Sequence, residues 1–125
     1  MEFRSARHTD NLKDIVEFYT KIIGFKVLFS FENHNDYSGV FIGKPNHDWH
    51  LEFTASKNKA EHKSDVDDIL VFYPTERSEY DEVVKQIEAN HIEKIKAKNP
   101  FWDENGIMII DPDGFRLVIS NMKIK

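Results

Sequence analysis

The sequence predicts an α+β fold in which one supersecondary unit, strand-helix-strand-strand-strand, occurs twice. Two amphipathic helix patterns, at residues 11–23 and 77–89, carry this prediction, because each follows one strand pattern and precedes others in the same order. A hairpin pattern near the C-terminus supplies the last two strands of the second copy. The repeat is therefore one of element order and not of amino-acid identity.

The two copies divide the chain into two modules and a linker. Module one spans about residues 3–55 and module two about 67–122, and the polar, charged stretch 56–66 between them shows no apolar periodicity. We expect residues 1–125 to form a single domain, since a chain of this length with sixteen aromatic side chains can build a real core.

Composition excludes several classes of site and partner. The chain has no Cys, so it has no disulfide framework, thiolate metal site or Cys nucleophile. Its formal net charge of -5 argues against a phosphate-backbone footprint, so no nucleic-acid partner is expected. The N-terminus shows no leader pattern and no apolar run approaches the roughly 20 residues of a membrane span, so we expect a cytoplasmic protein with no membrane partner.

The first module opens with a short strand pattern at residues 3–9 and the helix at 11–23. Apolar side chains at i, i+3, i+4 and i+7 spacing indicate the helix, and Gly24 is expected just after its C-terminal end because glycine tolerates a positive φ. The apolar positions are Leu12, Ile15, Val16, Tyr19, Ile22 and Ile23.

Three strands are predicted next, at residues 25–31, 37–42 and 49–55, with a turn cluster at 33–36. Alternation along the last strand separates a polar face from an apolar one. The polar face carries His50, Glu52 and Thr54, and the apolar face carries Leu51 and Phe53.

The second module repeats the order with weaker strands. Residues 68–73 predict a strand, 77–89 a helix, 92–97 a poorly patterned strand, and 99–105 a loop that carries two aromatic side chains. The closing hairpin occupies residues 106–120. Elsewhere in the chain, five phenylalanines are expected in the core: Phe29, Phe31, Phe41, Phe53 and Phe72.

The closing hairpin has a sharply defined turn. Pro112 fixes φ and Gly114 permits a positive φ, so Asp111-Pro112-Asp113-Gly114 reads as a tight turn before the strand that begins near Phe115. Along that strand Arg116 and Val118 share one face, opposite Phe115 and Leu117.

These residues resemble the closing hairpin of the glyoxalase, bleomycin-resistance and extradiol-dioxygenase superfamily, whose members are also called vicinal oxygen chelate proteins. The first helix with its aromatic pair Phe18-Tyr19 before Gly24-Phe25, and the strand end Leu51-Glu52-Phe53-Thr54, are similar to the same family. The resemblance implies two βαβββ modules whose curved mixed sheets surround a shared cavity, and it implies a homodimer.

The resemblance also assigns four positions to a metal site. Metal-dependent members place one His or Glu on the first and last strand of each module, and the matching positions here are Arg4, Glu52, Asp68 and Val118. Only Glu52 is a usual ligand. Val118 cannot bind a metal, and Arg4 carries a fixed positive charge that would pair with Glu52 or Asp68. We therefore expect no four-ligand metal site and no cofactor.

Two other sets of residues are candidates for a site. His50 shares the face of Glu52 and, with Asp68, would make a rearranged site for a divalent metal, whereas His8 lies four residues beyond the matching ligand position and reads as a surface or capping residue. Aromatic side chains that could stack on a planar ligand are Phe101, Trp102 and Trp49.

Three functions stay open on this sequence. The first is a small-molecule binding or sequestration protein of the bleomycin-resistance type, for which an acidic, aromatic cleft would suit an organic cation, an argument that Arg4 weakens. The second is a metal-dependent glyoxalase-like lyase or isomerase, or a dioxygenase, with the rearranged site. The third is an interaction module whose cavity is vestigial. Arg4, Glu52 and Asp68 are expected to line one cavity, with Phe101 and Trp102 at its mouth.

Overall fold

The computed structural model describes residues 1–125, which form two compact units, residues 1–62 and 63–125. The α+β class, the mixed sheets and the presence of two modules are confirmed. None of its helices has the length and apolar character needed to cross a membrane.

The first unit consists of one helical segment and four strands. The helix α1 (Leu12–Glu17) continues directly into a π-helical turn (Phe18–Ile22). The strands are β1 (Phe3–His8), β2 (Lys26–His34), β3 (Tyr37–Gly43) and β4 (Trp49–Ala55). They form one sheet in the order β1-β4-β3-β2, with β1 parallel to β4 and the other pairs antiparallel.

The helical segment covers one face of this sheet. Tyr19 stacks on Phe53 of β4 with ring centroids 5.2 Å apart, and both side chains are buried. The other strand side chains that are buried beneath the helical segment are Val40, Ile42 and Leu51. Because side chains alternate along each strand, the residues between them face the opposite side of the sheet.

The predicted helix at 11–23 is not a regular α-helix throughout. The α-helix ends at Glu17, and the amide of Ile23 donates to the carbonyl of Phe18 at 3.3 Å, a spacing of five residues. Phe18 and Tyr19, which lie in this wider turn, are both buried. Gly24, with φ of +87°, ends the segment as predicted.

The second unit contains three strands and two helices. The elements are β5 (Ile69–Phe72), α2 (Arg77–Ala89), α3 (Pro100–Glu104), β6 (Gly106–Ile110) and β7 (Arg116–Ser120). The sheet order is β5-β7-β6, with β5 parallel to β7 and β6 antiparallel to β7.

Two segments of this unit differ from prediction. Residues 92–97 form no strand and contribute a single bridge, in which the amide of Ile95 donates to the carbonyl of Met108 at 2.9 Å, so this sheet has three strands. The predicted loop at 99–105 contains α3, because Asn99 caps it by accepting from the amide of Phe101 at 3.1 Å and Pro100 suits the first helical position.

The closing turn is formed as predicted. The amide of Gly114 donates to the carbonyl of Asp111 at 2.9 Å, and Gly114 has φ of +88°. The buried Asp111 carboxylate also accepts from the amides of Asp113 and Phe115, at 2.9 Å and 3.1 Å. These bonds fix the register with which β6 enters β7.

Candidate functional site

The uncovered face of the first sheet brings together four side chains of a candidate site from three strands. Arg4 of β1 lies beside His50 of β4, and Glu52 of β4 lies beside Phe41 of β3. His50 and Glu52 alternate with the buried Leu51, as the sequence predicts, so they point away from the helical segment. Strand pairing therefore brings together side chains that are far apart in the chain.

Arg4 is the centre of this group. Its Nε donates to Nε2 of His50 at 3.0 Å, and its Nη1 lies 3.5 Å from Oε1 of Glu52. Its Cζ lies 4.4 Å above the centroid of the Phe41 ring, and the His50 and Phe41 ring centroids are 4.8 Å apart. The guanidinium is thus held by a hydrogen bond, an ion pair and a cation–π contact at once.

The contacts of Arg4 determine which groups remain available to a ligand. A guanidinium only donates, so Nε2 of His50 must carry a lone pair, and a neutral ring has its proton on Nδ1. The Nη2 group of Arg4 makes no hydrogen bond to the chain. The Arg4 side chain is 47% exposed and the Glu52 side chain 14%. The charge that this face presents to solvent is therefore the positive one.

An aromatic surface continues from Phe41 onto the edge strand β2. Phe29 and Phe31 pair with Phe41 and Gly39, and both rings lie near Phe41, with centroids 5.4 Å and 6.4 Å away. Phe29 is 55% exposed, so its predicted place in the core is wrong. We call Phe29, Phe31 and Phe41 the aromatic face.

Sequence alternation missed the aromatic face because β2 contains a bulge. Val27 pairs with Ile42 and Phe29 with Phe41, so two steps along β2 match one step along β3. The irregularity puts Val27 and Phe29 on opposite faces, although their spacing predicts the same face. The sequence does contain one signal for this face, which is the occurrence of three phenylalanines within two adjacent strand patterns.

Trp49 and His8 do not belong to this group of side chains. Trp49 packs edge-on against the buried Phe25, with centroids 5.5 Å apart, and shares the face of Leu51, so it does not join His50 and Glu52. His8 hydrogen-bonds through Nε2 to the hydroxyl of Ser56 at 3.0 Å.

The donor set of this unit does not fit the metal site of the family. Arg4 holds Glu52, the one usual ligand among the four matching positions, and Val118 is fully buried in an apolar cluster. No group of three or more His, Asp or Glu side chains is arranged to hold a metal ion. His50 uses Nε2 to accept from Arg4 and lacks a free lone pair there.

The second unit has a pocket of its own, with a volume of about 330 Å³. Its lining residues are Asp67, Ile69, Lys98, Asn99, Trp102 and Met108. Trp102 packs on an apolar cluster that contains Met108 and Val118, while Phe101 meets Trp102 edge-on at 4.9 Å and is exposed. Lys98 Nζ and Asp67 Oδ2 form an ion pair at 4.0 Å, so the pocket lining contains one positive and one negative charge.

Asp67, and not Asp68, lines this pocket. Asp68 is exposed in the turn before β5, where its carboxylate accepts from the amide of Asp65 at 3.0 Å. Val71 pairs with Val118 and Ile69 with Arg116, so the odd-numbered residues of this strand face the apolar cluster. Because neighbouring residues of a strand point to opposite faces, Asp68 does not share the face of Ile69. The pocket is therefore lined by Asp67 and not by the predicted Asp68.

Comparisons with known proteins agree with this architecture. Residues 3–54 match the model of the YycE-like N-terminal domain and residues 67–121 that of the YycE-like C-terminal domain. The YycE protein of Bacillus subtilis is 35% identical over 126 residues, which cover 98% of this chain and 88% of the relative. Its crystal structure, described as that of a protein of unknown function, superposes with a TM-score of 0.85 and covers 90% of that chain.

More distant structures share the fold. The glyoxalase I of Leishmania major is 21% identical with a TM-score of 0.73, covering 96% of this chain and 85% of the other. The fosfomycin resistance protein FosX of Listeria monocytogenes, in complex with Mn(II) and a dihydroxypropylphosphonic acid, is 13% identical with a TM-score of 0.68, covering 94% and 88%.

Proposed function

This chain belongs to the YycE-like family and has the glyoxalase and bleomycin-resistance fold, and from that premise we propose that it binds a small organic molecule on the uncovered face of its first sheet, without a metal ion. The ion pair between Arg4 and Glu52 carries this proposal. A guanidinium held at the one remaining ligand position supplies a fixed positive charge there, so a metal cation would have to displace it.

The aromatic face supports binding as the activity. An exposed Phe29 beside Phe41 offers apolar surface for a ring, and Arg4 adds hydrogen-bond donors at one end. Neither feature supplies a nucleophile, or a general base with a free lone pair facing a substrate. We therefore favour sequestration over the lyase, isomerase or dioxygenase alternatives, for which the structure offers no supporting donor set.

Its assembly and location belong to the same proposal. We propose a homodimer, because small proteins of this fold commonly pair their modules across a two-fold interface. We also propose a cytoplasmic location, because a chain with no Cys suits a reducing compartment. Sedimentation equilibrium over a range of protein concentrations tests the assembly, and a monomer at every concentration would contradict it.

Metal content and ligand binding test the central proposal together. Elemental analysis of the purified protein should find no stoichiometric Zn, Ni, Mn or Fe. Amide shifts in 1H–15N NMR spectra should then report binding of small aromatic compounds at β2, β3 and β4.

A matched pair of variants locates the binding. Phe29→Ala should abolish the amide shifts, whereas Val27→Ala, which removes an exposed side chain of the same strand on the opposite face, should leave them. One equivalent of metal that is lost in Glu52→Ala would overturn the proposal in favour of the metal-dependent enzyme.

A further inference from the structure

We infer that the molecule bound on this face carries an anionic oxygen group attached to a planar ring, as an aromatic or vinylogous carboxylate does, and that organic cations are disfavoured. This inference rests on the proposed function and specifies the chemistry of the ligand. It reverses the preference for a cation that the acidic composition and Glu52 suggest from sequence.

The charges on the face favour an anion. The negative charge of Glu52 is mostly covered and is already paired with Arg4, whereas nearly half of the Arg4 side chain is exposed. Arg4 also occupies the position over Phe41 that a ligand cation would take for a cation–π contact. A cationic ligand would therefore meet a positive charge, and an anionic ligand would meet an uncovered donor.

The donor geometry of Arg4 favours an oxygen acceptor. Nε is committed to His50 and Nη1 faces Glu52, which leaves the Nη2 group with no partner in the chain. Because three contacts already fix the guanidinium, a ligand oxygen that accepts from Nη2 requires little additional ordering of the side chain. Charge-assisted hydrogen bonds of this kind are stronger than those between neutral groups.

The aromatic face favours a flat ring. The ring of Phe31 lies directly over Gly39, and a Cβ added to Gly39 would be 2.5 Å from Cζ of Phe31. The ring therefore occupies the space above β3 that a side chain at residue 39 would fill. Phe29 stands beside it with more than half of its surface exposed. Phe41 contacts both Arg4 and Phe29, so it connects the ring-binding surface to the anion-binding group.

Three probes with one carbon skeleton separate charge from shape: trans-cinnamate, cinnamyl alcohol and cinnamylammonium. NMR titration at neutral pH should give the lowest dissociation constant for cinnamate and the highest for cinnamylammonium. Cinnamate should bind about tenfold more tightly than the alcohol, which is the advantage expected of a charge-assisted hydrogen bond over a neutral one. Arg4→Gln should remove the difference between cinnamate and the alcohol. Arg7→Gln is the matched control, because Arg7 lies on the same strand but over the Phe53 ring on the covered face.

The possible results are distinguishable. A preference for cinnamylammonium, or a cinnamate preference that survives Arg4→Gln, overturns the inference. Equal binding of all three probes overturns the charge assignment but leaves binding at this face intact. No amide shifts with any probe up to its solubility limit overturn both the inference and the proposed function. Arg4→Lys keeps the charge without the planar fork, so intermediate binding by this variant supports the inference if Arg4→Gln is poorly folded.

Discussion

Nε2 of His50 accepts a hydrogen bond from Nε of Arg4, at 3.0 Å, between residues paired on adjacent parallel strands. The arginine of this pair is over a phenylalanine ring and the histidine ring lies against the same phenylalanine. His50 is therefore a positioning residue: it holds the guanidinium in one orientation without being required to touch a ligand.

Replacing His50 tests this positioning role. His50→Leu removes one of the three contacts that hold the Arg4 side chain, so Arg4 becomes more mobile. Cinnamate binding should therefore weaken roughly two- to tenfold, up to the cost of ordering one long side chain on binding. His50→Gln retains an acceptor oxygen and should restore most of the affinity. NMR titration measures both variants, and equal weakening in the two would show that the imidazole ring itself, and not its lone pair, is needed.

Glu52→Gln should change the free energy of unfolding by no more than about 1 kcal/mol. The ion pair is partly exposed on the Arg4 side, so the arginine left behind can be hydrated and is not a buried unpaired charge. Urea unfolding followed by circular dichroism provides the measurement. A loss of several kcal/mol would mean that the Arg4-Glu52 pair is a structural network.

Gly39→Ala should move the ring of Phe31. The new Cβ would lie 2.5 Å and 2.8 Å from two ring atoms and 3.1 Å from the carbonyl of Phe53, so the ring must swing away at a cost of about 1 kcal/mol. Binding of planar probes should weaken while the fold persists. In a Phe31→Ala background the same change should cost less, because the ring is gone, and an unchanged cost would place the strain at the Phe53 carbonyl.

Gly106→Ala provides the contrasting case and should destabilise the second unit by more than Gly39→Ala destabilises the first. Its Cβ would lie 2.5 Å from the carbonyl oxygen of Ile119, a backbone atom in the paired strand that cannot rotate away. We expect a loss of at least about 2 kcal/mol in the free energy of unfolding, as for other severe steric conflicts in a sheet. Thermal unfolding that is unchanged would contradict the close approach of β6 and β7.

Burial lowers the pKa of the Lys44 ammonium below its ordinary value, because desolvation penalises the charged form. In the pH range between the folded and unfolded values, the unfolded chain binds more protons at this residue, so its contribution to stability should rise as pH increases toward 10.5. Nuclear magnetic resonance titration of the Lys44 side chain should give a midpoint below 10.5. A midpoint at or above that value would show that its remaining contacts outweigh desolvation.

For elements with a strong local sequence pattern, the predicted boundaries agree with those of the structure. Helix α2 occupies Arg77–Ala89 and strand β4 Trp49–Ala55, as the sequence predicts, because side-chain period and flanking residues determine them locally. The closing turn belongs to the same class, since Pro112 and Gly114 restrict the backbone directly.

The errors about which face a side chain occupies share one physical origin, which is the register of strand pairing. The bulge in β2 reverses the face of Phe29, and a shift of one residue before β5 replaces Asp68 with Asp67 in the pocket. Both depend on which residues pair across strands, and a single chain read in order contains no direct record of that pairing. The contact between Arg4 and His50 was missed for the same reason, although Arg4 was predicted to pair with Glu52 or Asp68 and does pair with Glu52.

The guanidinium of Arg4 also has a consequence for how such a protein would behave in a cell. A cation that is part of the polypeptide is present in every copy at synthesis, cannot be exchanged for a competing ion and is not stripped by chelators. Ligand capture at this face would thus be indifferent to EDTA and to metal starvation of the culture.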